Sequence, residues 1–137
     1  MDKEGFASLL ARVADGWNTG APAEAADCFT VDAVYLEPPN AQHYVGREEL
    51  SAFFHGEAAE PRAMSMTWHH VAYDPDTSRG FGEYTFSIPN GFAAHGVAVI
   101  TTRDQRIATW ESWRQARASA RFLNVFRIVL RSRGEKT

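Results

Sequence analysis

The chain has a single cysteine in 137 residues, so no internal disulfide can form and core packing must hold the fold. A reducing cytoplasm is the setting this composition suits. Cys28 falls among the apolar positions of a helical pattern, with no histidine or basic residue near it in sequence. It reads as buried filler rather than a nucleophile. No apolar run approaches the roughly 20 residues that cross a bilayer. The start, Met1-Asp2-Lys3-Glu4-Gly5, lacks the basic head and apolar core of a secretory signal, so no membrane partner is expected. Excess positive charge is also missing: 14 Lys and Arg face 17 Asp and Glu, for a net charge of −3. That balance excludes a nucleic-acid surface. There is no G-x-S-x-G elbow, no phosphate loop and no G-x-G-x-x-G, which removes serine-type covalent catalysis and leaves nucleotides without a cradle. H-E-x-x-H and facial-triad spacings are absent too. His69 and His70, adjacent on a strand, would point to opposite faces, so neither a metal nor any other cofactor is expected. With no repeat, linker or low-complexity stretch, residues 1–137 read as one domain.

What is present has a clear order. Phe6, Leu9, Leu10, Val13 and Trp17 recur at the spacing of an amphipathic helix that ends at Asn18-Thr19-Gly20. Pro22 opens a second, shorter helix with Ala25, Ala26 and Phe29 on its apolar side. Ala33 to Glu37 predicts a strand stopped by Pro38-Pro39-Asn40. His43-Tyr44-Val45 predicts a short pairing strand before Gly46. A third helix buries Leu50, Phe53 and Phe54. From Met64 the period becomes extended, with strands at Met66–Tyr73, Phe81–Ile88, His95–Thr102 and Ile107–Arg114, and a turn signal at Pro89-Asn90-Gly91. Helices first and a strand meander after predict an α+β fold: a cone-shaped, strongly curved, mostly antiparallel sheet with the N-terminal helices on its concave face. The tail, 116–137, predicts an amphipathic terminal helix or strand with solvated arginines.

Polar side chains on these strands are the candidates for chemistry. Glu37, at a strand end that prolines stop abruptly, has the fixed position a proton-transfer group needs. Its alternative is a strand-end carboxylate that caps a helix or pairs with Arg47. Tyr35, two residues away, shares its face. Alternation groups Glu83, Thr85 and Ser87 against Tyr84, Phe86 and Ile88, and Trp110, Ser112 and Arg114 against Thr109, Glu111 and Trp113. His95 shares a face with Val97 and Val99, and offers a proton relay or a ligand hydrogen bond; its alternative is a solvent-facing or core histidine. Trp68, Trp110 and Trp113 could line an aromatic cavity or simply pack.

Four segments carry a resemblance to a known family: Trp17-Asn18-Thr19-Gly20; Phe29 to Pro38 with Gly46-Arg47-Glu48-Glu49-Leu50; Gly82-Glu83-Tyr84-Thr85-Phe86; and His95-Gly96-Val97-Ala98-Val99 with Arg106-Ile107-Ala108-Thr109-Trp110. Over about residues 5 to 115 the chain resembles the nuclear transport factor 2-like superfamily, in particular its SnoaL-like and ketosteroid-isomerase-like groups. The resemblance implies that Glu37-Pro38 stands where ketosteroid isomerases carry an aspartate–proline pair that moves a proton. Val13 and Val99 then fall at the two oxyanion-donor positions and line the pocket without donating. Gln115 falls where polyketide-cyclase-like members carry an acid. The missing donors argue against steroid isomerisation. The same alignment turns Trp17, Glu83, Trp110 and Arg114 toward the cavity.

Together these readings imply a mostly apolar pocket for a small hydrophobic or partly polar molecule. Glu37 would be the acid or base of a cofactor-free isomerase, cyclase or hydratase, with His95 and Arg114 orienting substrate. A non-catalytic binding protein or a dimeric interaction domain is the alternative. The resemblance also implies a two-fold homodimer through the outer sheet face, burying Trp113 or Tyr84. A cavity below about 300 Å³, the lower end of the usual ligand range, would count against both ligand readings, enzyme and binding protein alike.

Overall fold

The computed structural model describes residues 1–38, 42–58, 65–88 and 93–116. Helix α1 (Lys3–Asn18) begins where the Asp2 carboxylate accepts a hydrogen bond from the Gly5 N–H at 2.8 Å. Its buried stripe is Phe6, Leu9, Leu10, Val13 and Ala14. Helix α2 (Pro22–Asp27) has proline at its first position and crosses α1 at Gly16, where a Cβ would sit 2.7 Å from the Ala25 backbone nitrogen. Strand β1 (Phe29–Glu37) turns into β2 (Gln42–Val45), and α3 (Arg47–Ala58) follows. Four long strands complete the described chain: β3 (Ser65–Asp74), β4 (Arg79–Ser87), β5 (Ala93–Arg103) and β6 (Arg106–Ala116).

These strands form one curved, unclosed sheet in the order β2-β1-β6-β5-β4-β3. Only β1 and β6 run parallel; the other pairs are antiparallel. The strands anticipated from alternation lie within two residues of those observed, except at the front of β1. That strand starts four residues earlier because Phe29 already pairs with Ile107 of β6. The β5–β6 hairpin turns on Asp104 and Gln105, both with positive φ, 52° and 66°. The Pro89-Asn90-Gly91 turn and the tail after Ala116 lie outside the described residues.

Helix α1 lies across the concave face of β3 and β4. The Trp68 indole N–H donates to Leu10 O at 2.9 Å. The Asn18 side chain treats β3 as a neighbouring strand would: its amide donates to Met66 O at 3.0 Å and its oxygen accepts from Met66 N–H at 2.7 Å. Glycines let these aromatics come close. A Cβ at Gly80 would meet the Phe6 ring at 2.6 Å, and one at Gly82 the Trp68 ring at 2.4 Å. Strand β3 also carries a β-bulge between Trp68 and His70, where its register on β4 shifts by one residue.

Candidate functional site

At the β1 end of the sheet, alternation turns Ala33, Tyr35 and Glu37 inward, all buried. Tyr35 pairs in register with Trp110 of β6, and the two rings stack 5.5 Å apart at 18°. Phe54 of α3 meets the Tyr35 ring edge-on, and Phe53 tilts against it. The Tyr35 hydroxyl is thereby fixed two residues from Glu37, to whose Oε1 it donates a hydrogen bond. The other carboxylate oxygen, Oε2, lies 3.3 Å from Arg114 Nη2. That approach pairs the charges without an aligned hydrogen bond, leaving Oε2 buried and open to another partner. The Arg114 guanidinium sits 5.9 Å from the Phe86 ring centre.

A cavity surrounds this carboxylate, lined by Trp17, Tyr35, Glu37, Phe53, Phe54, Tyr84, Phe86, Trp110 and Arg114. Its volume is about 40 Å³, room for a few waters at most. That is far below the 300 Å³ set out above, so in this conformation aromatic side chains fill most of the concave face. Burial pushes the Tyr35 phenol well above its ordinary value, and the Glu37 carboxylate and its hydrogen bond push it the same way. The Tyr84 phenol is also raised, chiefly by burial, while the Ser112 hydroxyl beside it works in the opposite direction. Two further polar groups are buried on β6, the Trp110 indole nitrogen and Ser112 Oγ. Neither has a hydrogen-bond partner of good geometry among the described residues.

The structure brings together five of the residues singled out in the sequence: Trp17, Tyr35, Glu37, Trp110 and Arg114. It separates the rest. Glu83 and His95 are on the convex face, where His95 Nε2 lies 3.0 Å from Glu83 Oε1. His95 Nδ1 is 3.3 Å from Thr85 Oγ1, which in turn lies 2.7 Å from His69 Nε2. Val99 lies on that face too, beside Phe81 and Val97, because its neighbours Ala98 and Ile100 take the buried positions of β5. Val13 is fully buried in the helix core and does not line the cavity. Tyr84 belongs inside rather than on the outer face; of the pair expected to bury in a dimer, only Trp113 is exposed outside, at 46%. Arg47 is not the partner of Glu37: its guanidinium donates to Phe29 O at 2.8 and 2.6 Å and ties α3 to β1. Tyr84 and Phe86 were the lining residues missed on β4, although their apolar alternation against Glu83, Thr85 and Ser87 was legible.

Residues 10–110 match the SnoaL-like domain family. The chain belongs to that family, within the nuclear transport factor 2-like superfamily. No curated protein matches this SnoaL-like chain. Among solved structures it is similar to a protein of unknown function with a cystatin-like fold from Methylobium petroleophilum PM1 (TM-score 0.74, 16% identity, 88% of this chain and 82% of that one). It is also similar to a protein with a ketosteroid isomerase-like fold from Catenulispora acidiphila DSM 44928, in complex with trimethylamine (TM-score 0.68, 17% identity, 76% and 82% covered). A third is an LEH-like epoxide hydrolase of M. tuberculosis (TM-score 0.68, 13% identity, 79% and 80% covered). At these identities the likeness establishes the fold, and this fold hosts unrelated chemistries.

Proposed function

We propose that this SnoaL-like protein is a cofactor-free acid–base enzyme of the isomerase, cyclase or hydratase type, with Glu37 as the proton-transfer group. The observation that carries the reading is a buried carboxylate with one oxygen held by Tyr35 and the other left open beside Arg114. Burying such a pair among aromatic rings is costly, and polar groups gathered at that cost mark a candidate functional position. The small cavity limits the substrate. Only its reacting end enters, past the partly exposed Trp17, Phe53, Phe86 and Arg114, while the remainder stays in the mouth. An ammonium ligand like the trimethylamine of the Catenulispora protein would find aromatic faces here, but Arg114 already sets a cation beside Glu37. A neutral, oxygenated group suits the cavity better.

The test is deuterium uptake by acetone in D₂O, followed by proton NMR. The wild-type protein is expected to accelerate exchange over buffer, and Glu37→Gln to lower that rate roughly 100-fold or more. Wild-type exchange no faster than buffer, or an undiminished rate in the variant, rejects the assignment. The 40 Å³ cavity favours one competing reading, a non-catalytic interaction domain whose concave face is packed by its own side chains. That reading expects no acceleration at all. In either case the apolar convex face, with Phe81, Val97 and Trp113 exposed, supports a two-fold homodimer, and the lone buried Cys28 supports a cytoplasmic setting.

A further inference from the structure

Adjacent strand residues ordinarily point to opposite faces, but the bulge in β3 turns His69 and His70 the same way. Trp68 before them and Val71 after them pack on the core, while both histidines are exposed on the convex face. There His69 meets His95, the two rings stacking 5.9 Å apart at 19°. A chain of polar contacts runs through these groups. Thr85 Oγ1 lies 2.7 Å from His69 Nε2 and 3.3 Å from His95 Nδ1, and His95 Nε2 lies 3.0 Å from Glu83 Oε1. With its ring proton on Nε2, toward Glu83, a neutral His95 accepts the Thr85 hydroxyl proton at Nδ1, and Thr85 accepts in turn from His69 N–H. A protonated His95 has no acceptor and breaks that chain. The titratable groups facing His95 are thus His69 and His70 from β3 and Glu83 from β4, whose register partner is His70; β6 sets the uncharged Gln115 opposite it.

This cluster borders the apolar patch. Glu83, Val97 and Trp113 form one row across β4, β5 and β6, and Thr85, His95 and Gln115 form the next. Arg79 flanks the patch on β4, and Glu111 flanks it on β6. We infer that a second copy covers this face about a two-fold axis along β5, and that protonation of the histidine cluster releases it. The inference rests on the homodimer proposed for the same patch. Such an axis lays the β4 flank of each copy over the β6 flank of the other, bringing Arg79 toward Glu111 of the partner subunit. It also lays β5 over β5, so that His95 approaches His95 of the partner subunit. While the imidazoles are neutral, the polar groups of each cluster satisfy one another and are covered at little cost beside apolar residues. Histidine gains its charge between about pH 8 and 5. Each proton added there must be desolvated at the contact, against the stacked ring beside it and the like cluster facing it, and Glu83 compensates only one. Acid therefore favours the separated chains.

Sedimentation equilibrium of the full chain at about pH 7.5 and about pH 5.5 separates this inference from its foundation. The dimer Kd of the wild type is expected to rise roughly 10-fold or more in acid, with an unchanged circular dichroism spectrum. The double variant His69→Gln, His95→Gln is expected to dimerise at both values, its Kd changing less than about threefold. Wild-type dimers of equal or greater affinity in acid, dissociation accompanied by unfolding, or a double variant that keeps the wild-type pH dependence each overturn the switch and leave the dimer standing. A wild-type monomer at neutral pH removes both. Dilution calorimetry of the wild type near pH 6.5, in two buffers of different ionisation enthalpy, needs no variant. Dissociation is expected to take up protons, because the separated chains bind more of them. Heats that do not depend on the buffer overturn the switch even if the double variant fails to associate.

Discussion

Tyr35 is held as a neutral donor by its surroundings: it is 1% exposed, stacked on Trp110, and hydrogen-bonded to a carboxylate. Losing its proton would place a second negative charge beside Glu37, so the folded state keeps the proton at pH values where the unfolded chain gives it up, above about 10. Stability contributed by this raised value is complete below about pH 10 and is lost as pH climbs beyond it. Tyr84, raised as well, adds to the same decline. Urea unfolding from pH 8 to 11.5 is expected to show a steep loss of stability at the alkaline end and a shallower one in Tyr35→Phe. Equal slopes for the two proteins would show that the phenol of Tyr35 titrates normally in the fold.

At the scale of elements, strand parity decides which residues meet. On β4 the apolar set, Tyr84 and Phe86, faces inward, as simple amphipathicity requires. Family resemblance had instead turned Glu83 inward, and it stands outside paired with His95. On β5 amphipathicity itself misleads. The inward residues are the small Ala94, Gly96 and Ala98 followed by Ile100, whereas Val97 and Val99 face out; the Tyr84 ring occupies the space above Gly96. A sequence shows the size of a residue but not the size of the neighbour that leans over it. Glu37, Tyr35, Trp110 and Arg114 were legible because their strands obey alternation and their partners are residues of the same face. The inward face of Tyr84 was legible in the same way, but its reach over β5 was not, since that depends on what Gly96 lacks. The Asn18 contact with β3 was equally hidden, being a side chain imitating a strand. Asn18→Ala should lower unfolding stability by about 1–2 kcal/mol in urea titration, by leaving Met66 N–H and C=O unpaired at the sheet edge. A change within error would show that water replaces the amide.

Across the sheet, two strands far apart in sequence meet in parallel, β1 with β6. Glu37 and Arg114 are far apart in sequence, so the site exists only after β6 has docked on β1. On the other side of the sheet, Phe81 and Trp113 are each 46% exposed and Val97 39%, a patch suited to a second copy. Sedimentation equilibrium is expected to find a dimer for the wild type and a monomer for Trp113→Glu, with unchanged circular dichroism. A wild-type monomer at all concentrations would remove the dimer. The bulge in β3 has its own consequence at this scale. With no strand partner beyond it among the described residues, β3 is an edge of ten residues, long enough to template pairing between molecules. The register shift between Trp68 and His70 breaks its ladder near the middle, and the Asn18 amide occupies the backbone groups of Met66. An approaching strand finds no long, regular row of free donors and acceptors, which protects the open sheet against edge-to-edge polymerisation.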